Sequence, residues 1–333
     1  MQTMLNRRHA TALAGFLAVL ALATLTPRVA GAVDQFPTKP VQLISPAPAG
    51  NGPDVVARLI ADELGKLWGQ QAVVVNRPGG SGLIAANAAV HAVPDGYTLY
   101  IANTSSMVAL PHIQKLSFDI HKDFKPIGMV GEQPMVIAVA PSLGVNSLAD
   151  LIALAKKKPG EVNFAAATRD SIPRYTTELL LAQAGASMTY VFYGGGTSQA
   201  IGDIMGGRLS VVVESWPALA GAIAAGSIKP IAVTSAKRMP EHPDVPTAAE
   251  TFPGFVVTAW IPLLAPAKTP DAVVQKVSKD LRTITDRPDV QAKLAKLGTY
   301  VRPMTPDELA SFMVSEDKKW LPAIQKVSAA GTK

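Results

Sequence analysis

The segment VQLISPAPAGNGPDVVARLIADEL, residues 41–64, joins an apolar run to an amphipathic run through a turn rich in proline and glycine. The apolar run that ends at Ile44 predicts a strand, and the run that begins at Val55 has the apolar spacing of a helix. The turn between them offers backbone amides, and the first N–H groups of the helix have no partner inside the helix. Such amides and the positive end of the helix dipole bind anions. The segment therefore predicts a site for a carboxylate or phosphate.

Strand-like and helix-like segments alternate along the rest of the chain. The strand-like runs are residues 41–45, 72–76, 98–103, 127–140, 162–166, 189–193, 210–213 and 228–234. The helical patterns are residues 55–67, 148–157, 175–184, 201–205, 271–285, 290–297 and 306–325. This alternation favours an α/β fold with parallel sheets covered by helices. Two long apolar runs, residues 127–140 and 255–265, predict two strands that cross between two lobes.

Residues 1–32 are predicted to be a secretory signal peptide. Arg7 and Arg8 precede a short apolar stretch, and Ala30-Gly31-Ala32 fits the cleavage pattern, with cleavage expected after Ala32. The apolar stretch is too short to span a bilayer. The arginine pair leaves the twin-arginine export route open, although His9-Ala10 after it favours the general route. Either route predicts a periplasmic or secreted protein.

The composition argues against several classes of function. Three of the 31 basic residues lie in the signal, which leaves 28 against 25 acidic residues, so nucleic-acid binding has little support. The chain has no cysteine, which excludes disulfides, thiolate metal sites and cysteine nucleophiles. No nucleophile-elbow or zinc-protease motif is present, and the histidines of the mature chain lack ligand spacing. We therefore expect no catalytic residue, no metal and no cofactor.

Polar turns that follow the predicted strands are the candidate ligand contacts, because ligands of open α/β sheets bind beyond the carboxyl ends of the strands. These turns are residues 46–54, 76–82, 103–106, 167–173, 193–198 and 214–217. Each turn alone is ordinary turn chemistry. Turns of this kind from two lobes, converging on one cleft, favour a binding function.

Some polar and aromatic residues in or next to these turns have two interpretations. Asp54, Asp170 and Glu214 either form a carboxylate group in the cleft or act locally, and Asp54 suits the helix dipole. Trp216 and Trp260 are either core residues or surfaces on which a ligand stacks.

Five segments, in their order along the chain, resemble the periplasmic solute receptors of the tripartite tricarboxylate transporter systems, the Bug family. They are residues 37–82, which contain PAPAGNGPD and NRPGGSG, then PDGYTLYIAN (94–103), KDFKPIGMV (122–130), KPIAVTSAKRMPEHPDVPT (229–247) and WIPLLAPAKTP (260–270). The resemblance covers nearly all of the chain after the signal.

The resemblance implies a two-lobe, type II-like periplasmic-binding-protein fold in which each lobe is a mainly parallel sheet flanked by helices. Lobe 1 is expected at residues 33–137 and 256–333, and lobe 2 at residues 138–255. In this family the turn after the first strand grips a carboxylate through backbone amides and ordered water, and the other lobe completes the site. The resemblance implies that the residues of this chain that contact the ligand are Pro48, Ala49, Gly50, Asn51, Asp54, Ser171, Tyr193, Gly195, Gly196 and Thr197.

The chain departs from the family pattern at the turn ATRDSIPR, residues 167–174. Relatives carry a glycine-asparagine-glycine-serine run and a histidine where this chain has Thr168-Arg169-Asp170-Ser171 and Arg174. We predict that Arg169, together with Arg174, recognises a second acidic group, and that Asp170 of the same turn is also a ligand contact. The ligand would then be a dicarboxylate, either aliphatic or aromatic and stacked near Trp216. Alternatively, Arg169 pairs with Asp170 or points into solvent.

The expected function is that of a monomeric periplasmic receptor, not an enzyme, which captures a small carboxylate and delivers it to a tripartite membrane permease. The residues alone leave two alternative functions open. The same fold hosts catalysis in other proteins, so a secreted two-lobe enzyme that acts on an organic acid is one of them. The other is a receptor that signals to a membrane sensor, because signalling needs the same closure on a ligand.

Overall fold

The computed structural model describes residues 36–50, 52–166, 170–193 and 197–330. The elements below belong to the compact unit formed by residues 39–333. The strands are β1 (Val41–Ser45), β2 (Ala72–Asn76), β3 (Thr98–Ile101), β4 (Phe124–Val139), β5 (Asn163–Ala166), β6 (Thr189–Val191), β7 (Val211–Ser215), β8 (Lys229–Val233) and β9 (Thr258–Pro266).

The helices alternate with these strands, as the sequence predicts. They are α1 (Gly52–Trp68), α2 (Leu83–Val90), α3 (Leu110–Ile113), α4 (Leu148–Lys157), α5 (Ile172–Ala184), α6 (Thr197–Met205), α7 (Trp216–Ala224), α8 (Asp271–Thr285), α9 (Pro288–Lys296) and α10 (Pro306–Ala330). Among the described residues, no helix has both the length and the apolar character that a membrane span requires.

The strands form two lobes joined through β4. In the first lobe β1 pairs in parallel with β2 and β3, and in the second lobe β5 pairs in parallel with β6 and β7. The N-terminal part of β4, up to Pro134, pairs antiparallel with β9, and its C-terminal part, from Met135, pairs antiparallel with β7 and β8. One strand therefore belongs to both sheets, which accounts for its length of 16 residues.

The chain returns to the first lobe just before β9. The N–H of Val257 donates to the carbonyl of Thr234 at 2.9 Å, directly beyond the end of β8, and Thr258 then opposes Pro134. These two crossings lie close to the predicted lobe boundaries at 137/138 and 255/256, which stay predictions. The predicted crossover strands thus correspond to β4 and β9.

The strand directions fix where the turns lie. β3 and β4 both run antiparallel to β9, so β1, β2 and β3 run in the same direction as β4, towards the second lobe. β7 runs antiparallel to β4, so β5, β6 and β7 run towards the first lobe. The carboxyl ends of the two sets of parallel strands therefore face each other across the middle of β4.

A buried core supports both sheets. Val56, Ile60 and Leu64 repeat along α1 at helical spacing and are fully buried. The C-terminal helix α10 contacts the second lobe, where Lys326 Nζ lies 2.9 Å from Glu178 Oε2 on α5. Trp260 and Trp320 are the largest side chains that are fully buried. Trp260 is therefore a core residue and not a surface on which a ligand stacks.

Candidate functional site

Three turns of the first lobe meet at the carboxyl edge of its sheet. Asn76, at the end of β2, donates from Nδ2 to the carbonyl of Ala47 in the first turn at 2.9 Å. Gly82, in the second turn, packs so tightly on the third that a Cβ at this position would lie 2.6 Å from the Cβ of Ser106. Backbone polar groups from all three turns are thereby brought to one surface.

The first turn is held from within by Asp54. Its buried carboxylate accepts hydrogen bonds from the N–H of Gly50 at 2.7 Å, from Arg58 Nε at 2.9 Å and from Asn76 Nδ2 at 2.7 Å. Burial acts to raise the pKa of Asp54, but these donors and the charge of Arg58 outweigh it and hold the pKa below its usual range. The carboxylate is therefore charged at neutral pH and already engaged by three protein donors.

The exposed part of the first turn is its backbone. Pro48, Ala49 and Gly50 are exposed, and Gly50 has a φ of 83°, which favours glycine. Asn51 lies outside the described residues. The predicted contacts at Pro48, Ala49 and Gly50 thus lie on the solvent side of the turn, whereas the side chain of Asp54 is on its inner side.

The third turn is fixed by its own side chains and by β9. The N–H of Ser106 donates to Asn103 Oδ1 at 3.0 Å, and the Ser106 hydroxyl donates to the carbonyl of Asn103 at 2.8 Å. The hydroxyl of Thr104 accepts from the N–H of Trp260 at 2.6 Å and donates to its carbonyl at 3.1 Å. The third turn is therefore attached to the crossover strand β9.

In the second lobe, the turn after β5 leads into α5 at Ser171. Ser171 occupies the N-cap position of this helix, but it accepts no capping hydrogen bond from the described part of the helix. Asp170 is half-buried and accepts from the hydroxyl of Tyr175 at 3.4 Å, a long contact. Arg174 is buried, and its guanidinium carbon lies 3.9 Å from the centroid of the Tyr190 ring. Arg169 lies outside the described residues.

The next turn of the second lobe begins at Tyr193. Its hydroxyl donates to Asp203 Oδ2 on α6 at 2.8 Å, and Arg208 Nε donates to Asp203 Oδ1 at 3.0 Å. Burial, together with this acceptor, raises the pKa of Tyr193 to about 12. The hydroxyl of Tyr193 is thus engaged on α6. Gly195 and Gly196 lie outside the described residues.

Thr197 and Glu214 link this turn to the end of β7. Thr197 begins α6 and makes a side-chain hydrogen bond with Glu214, and the N–H of Ser215 donates to Glu214 Oε1 at 2.8 Å. Burial raises the pKa of Glu214, although both hydrogen bonds oppose the change. Glu214 therefore acts locally, as a link between two turns.

Trp216 starts α7 and is half-buried. Its ring stacks on the His242 ring with a centroid distance of 3.6 Å and an angle of 18° between the planes. One face of Trp216 is therefore already covered by a protein side chain. A ligand that stacks on this residue would use the other face.

The turns of the two lobes approach each other along β4. Trp260, which binds Thr104 of the third turn, pairs with Glu132, whereas Ser215, at the end of β7, pairs with Met135. Glu132 and Met135 are three residues apart on β4, which corresponds to roughly 10 Å at a rise of about 3.3 Å per residue. A small organic acid is of this size.

Sequence reasoning did not assign a role to Arg58 or Asn76. Arg58 follows Asp54 by four residues in α1, a spacing at which opposite charges meet on a helix, so this signal was present. Asn76 was recognised only as part of a turn. Its two bonds to Ala47 and Asp54 depend on the pairing of β1 with β2, which residue types alone do not show.

A family model described as "Tripartite tricarboxylate transporter family receptor" matches residues 56–329. The chain is 32% identical over 318 residues to Protein BugT of Bordetella pertussis, which covers 94% of this chain and 97% of that protein. It is 32% identical over 307 residues to a protein from Pseudomonas sp. strain P51, with 91% of each covered.

Two solved structures share both the fold and part of the sequence. An R. palustris protein described with adipate is 30% identical, has a TM-score of 0.77 and covers 88% of this chain and 98% of its own. MatC from Rhodopseudomonas palustris, described with bound malate, is 30% identical, has a TM-score of 0.72 and covers 87% of this chain and 100% of its own.

Proposed function

Because the chain belongs to the tripartite tricarboxylate transporter receptor family, we propose that it captures a small dicarboxylate between its lobes and delivers it to a tripartite membrane permease. The family consists of periplasmic solute-binding receptors and not of enzymes.

The observation that carries the proposal is the opposition of two sets of turns across β4. The first lobe presents an exposed backbone turn at residues 48–50, and the second lobe presents the polar turns that begin α5 and α6. Backbone amides at the ends of strands bind a carboxylate without a permanent positive charge. Closure of the lobes would then bring donors to both ends of a short acid.

Two lines of support favour a dicarboxylate. Two of the relatives, one described with adipate and one with bound malate, carry a molecule with two carboxylates. This chain also has Arg169 where the family pattern is uncharged, and Arg174 nearby. An arginine across the cleft suits a second carboxylate, because its planar fork donates two parallel hydrogen bonds.

A thermal-shift screen of organic acids tests this proposal. A ligand at 100 times its Kd adds about 2.7 kcal/mol to the free energy of unfolding. We expect dicarboxylates to raise the Tm and monocarboxylates of similar shape to raise it less. An absence of any shift across the acids, or conversion of a bound acid into a new product, would contradict the proposed function.

A further inference from the structure

We infer that Asp54, Arg58 and Asn76 form a clamp that positions the first turn for the ligand carboxylate. The inference rests on the proposed function for the identity of the ligand. It assigns to these three side chains a positioning role, in which they act on the ligand through the backbone of residues 47–50.

The clamp is a closed network of hydrogen bonds. Asp54 accepts from Arg58 Nε at 2.9 Å and from Asn76 Nδ2 at 2.7 Å, and Arg58 Nη2 donates to Asn76 Oδ1 at 2.9 Å. Each of the three side chains therefore bonds to the other two. Such a network fixes the rotamer of every member.

The network grips the first turn at both ends. Asn76 Nδ2 donates to the carbonyl of Ala47 at 2.9 Å, and Asp54 Oδ2 accepts from the N–H of Gly50 at 2.7 Å. Between these two points Pro48 and Ala49 are exposed. Pro48 has no N–H, and the N–H groups of Ala47 and Gly50 are engaged by Ser45 and Asp54. The amide that residues 47–50 offer to a ligand is therefore that of Ala49, in the exposed part of the turn.

A carboxylate is required at position 54 because three donors converge on it. The N–H of Gly50 and Arg58 Nε both donate to Oδ2, and Asn76 Nδ2 donates to Oδ1. An asparagine at position 54 would replace one acceptor oxygen by an NH₂ group and place two donors against each other. A flip of the Asn76 amide would relieve that clash only by breaking the bonds of Asn76 to Ala47 and Arg58.

Holding the turn in advance increases affinity. A ligand that must order a loose turn loses part of its binding free energy to that ordering, whereas a turn already in place does not impose this loss. Asp54, the centre of the clamp, lies on the side of the turn away from solvent, since it is only 1% exposed. The inference therefore predicts that the clamp changes affinity without direct contact with the ligand.

The experiment compares Asp54→Asn with Asp62→Asn. Both positions lie on α1, and Asp62 is an exposed residue that pairs with Lys66 on the same helix, so it serves as a matched control. Calorimetric titration with adipate and with malate gives the affinity and the fraction of competent sites. Amide hydrogen exchange of the ligand-free protein gives the protection of the amides within residues 46–50, which are those of Ala47, Ala49 and Gly50 because the other two residues are prolines.

We expect Asp54→Asn to weaken binding about tenfold to a hundredfold and to increase exchange in residues 46–50, because it removes charge-assisted hydrogen bonds. Asp62→Asn should change neither quantity. If Asp54→Asn is too unstable to titrate, Arg58→Lys replaces it, at a side chain that is half-exposed. This variant keeps the positive charge but loses the planar guanidinium that bonds to both Asp54 and Asn76, so it should weaken binding roughly threefold to tenfold.

A double variant, Asp54→Asn with Asn76→Asp, adds a rescue. The exchanged pair keeps an acceptor for Gly50 and for Arg58, but it places a carboxylate oxygen against the carbonyl of Ala47, which also loses its donor. We expect it to recover only the part of the affinity that depends on the contact between positions 54 and 76. A purely structural role would change the Tm of the variants but not restore affinity in this pattern.

Unchanged affinity together with unchanged exchange in Asp54→Asn would overturn the inference. So would equal effects of Asp54→Asn and Asp62→Asn. If the wild-type protein bound neither adipate nor malate, the proposed ligand class would fail. The exchange of residues 46–50 would then still decide whether the clamp holds the turn.

Discussion

At the scale of single residues, Glu316 lies between the buried indole rings of Trp260 and Trp320. Its Oε2 accepts from Trp260 Nε1 at 3.1 Å and from Trp320 Nε1 at 2.8 Å, and Lys319 pairs with Oε1. The carboxylate thereby connects the crossover strand β9 to the C-terminal helix α10. Its loss would leave two donors buried without an acceptor.

We predict that Glu316→Ala lowers the free energy of unfolding by about 2–5 kcal/mol, because each unsatisfied indole N–H costs roughly 1–3 kcal/mol. Glu316→Gln should cost about 1 kcal/mol or less, since its one carbonyl oxygen can accept from both indoles and an ion pair to a half-exposed lysine contributes little. Urea unfolding measures both values. Equal losses in the two variants would show that the indole hydrogen bonds do not stabilise the fold.

The proposal of a dicarboxylate ligand depends most on Arg169. We predict that Arg169→Ala weakens binding of a dicarboxylate by about one to two decades, because a charge-assisted hydrogen bond contributes roughly 1.5–3 kcal/mol. A monocarboxylate of similar shape should bind almost as before. Arg282→Ala, on α8 and paired with Asp286, is the control. Calorimetry that shows equal losses for both ligand classes would contradict a role of Arg169 in reading the second carboxylate.

The sequence predicted where polar groups lie but not which of them contact each other. Asp54 was placed correctly at the start of a helix, yet its bonds to Gly50 and Asn76 arise only when the turn folds back on β2. Trp260 kept two interpretations, because its partner Glu316 lies 56 residues away in the chain. Contacts of this kind depend on the tertiary fold and leave no local pattern.

At the scale of elements, the predicted strands and helices correspond closely to those of the structure. The bounds of β1, β2, α4 and α8 are those predicted. β7 extends to Ser215, two residues beyond the predicted end, because Glu214 and Ser215 pair with β4 although both are polar. Apolar alternation therefore locates a strand better than it locates the end of a strand that enters a site.

The second turn shows how glycine positions an element. Gly82 has a φ of 98° and lies directly against Ser106 of the third turn, whereas Gly207 has a φ of 71° and open space around it. We predict that Gly82→Ala costs about 2–4 kcal/mol from backbone strain and overpacking, and that Gly207→Ala costs about 1–2 kcal/mol from strain alone. Chemical denaturation of the two variants measures the difference.

Gly82→Ala should also weaken binding of the carboxylate, because it displaces the third turn from the second. Gly207→Ala should not, since Gly207 follows α6 at the end remote from its first turn. If both variants lost stability and affinity equally, the close contact between the two turns would have no part in the site.

At the scale of the whole molecule, the topology places the two sets of turns opposite each other. The two long apolar runs, residues 127–140 and 255–265, predicted two crossover strands, and β4 and β9 confirm this prediction. Convergence of the turns on one cleft was expected from the polar turns that follow the predicted strands, and the strand pairings give the direction of each strand.

We also predict that the chain is exported and that its signal peptide is removed. The mature protein should begin at Val33, because Ala30-Gly31-Ala32 is a small-residue cleavage site at a suitable distance after the apolar stretch. Mass spectrometry of the exported protein measures the N-terminus directly. A product that retains residues 10–32 would indicate an anchor in place of a signal peptide.

The central claim is that two opposed sets of turns bind a small dicarboxylate through its charges and without chemistry. Calorimetric titration with the acid that most raises the Tm, and with its dimethyl ester, tests this claim most directly. We predict that the ester binds at least about a hundredfold more weakly, because it cannot accept charge-assisted hydrogen bonds, and that the acid is recovered unchanged. Equal affinity for the acid and the ester, or release of a new product, would contradict the claim.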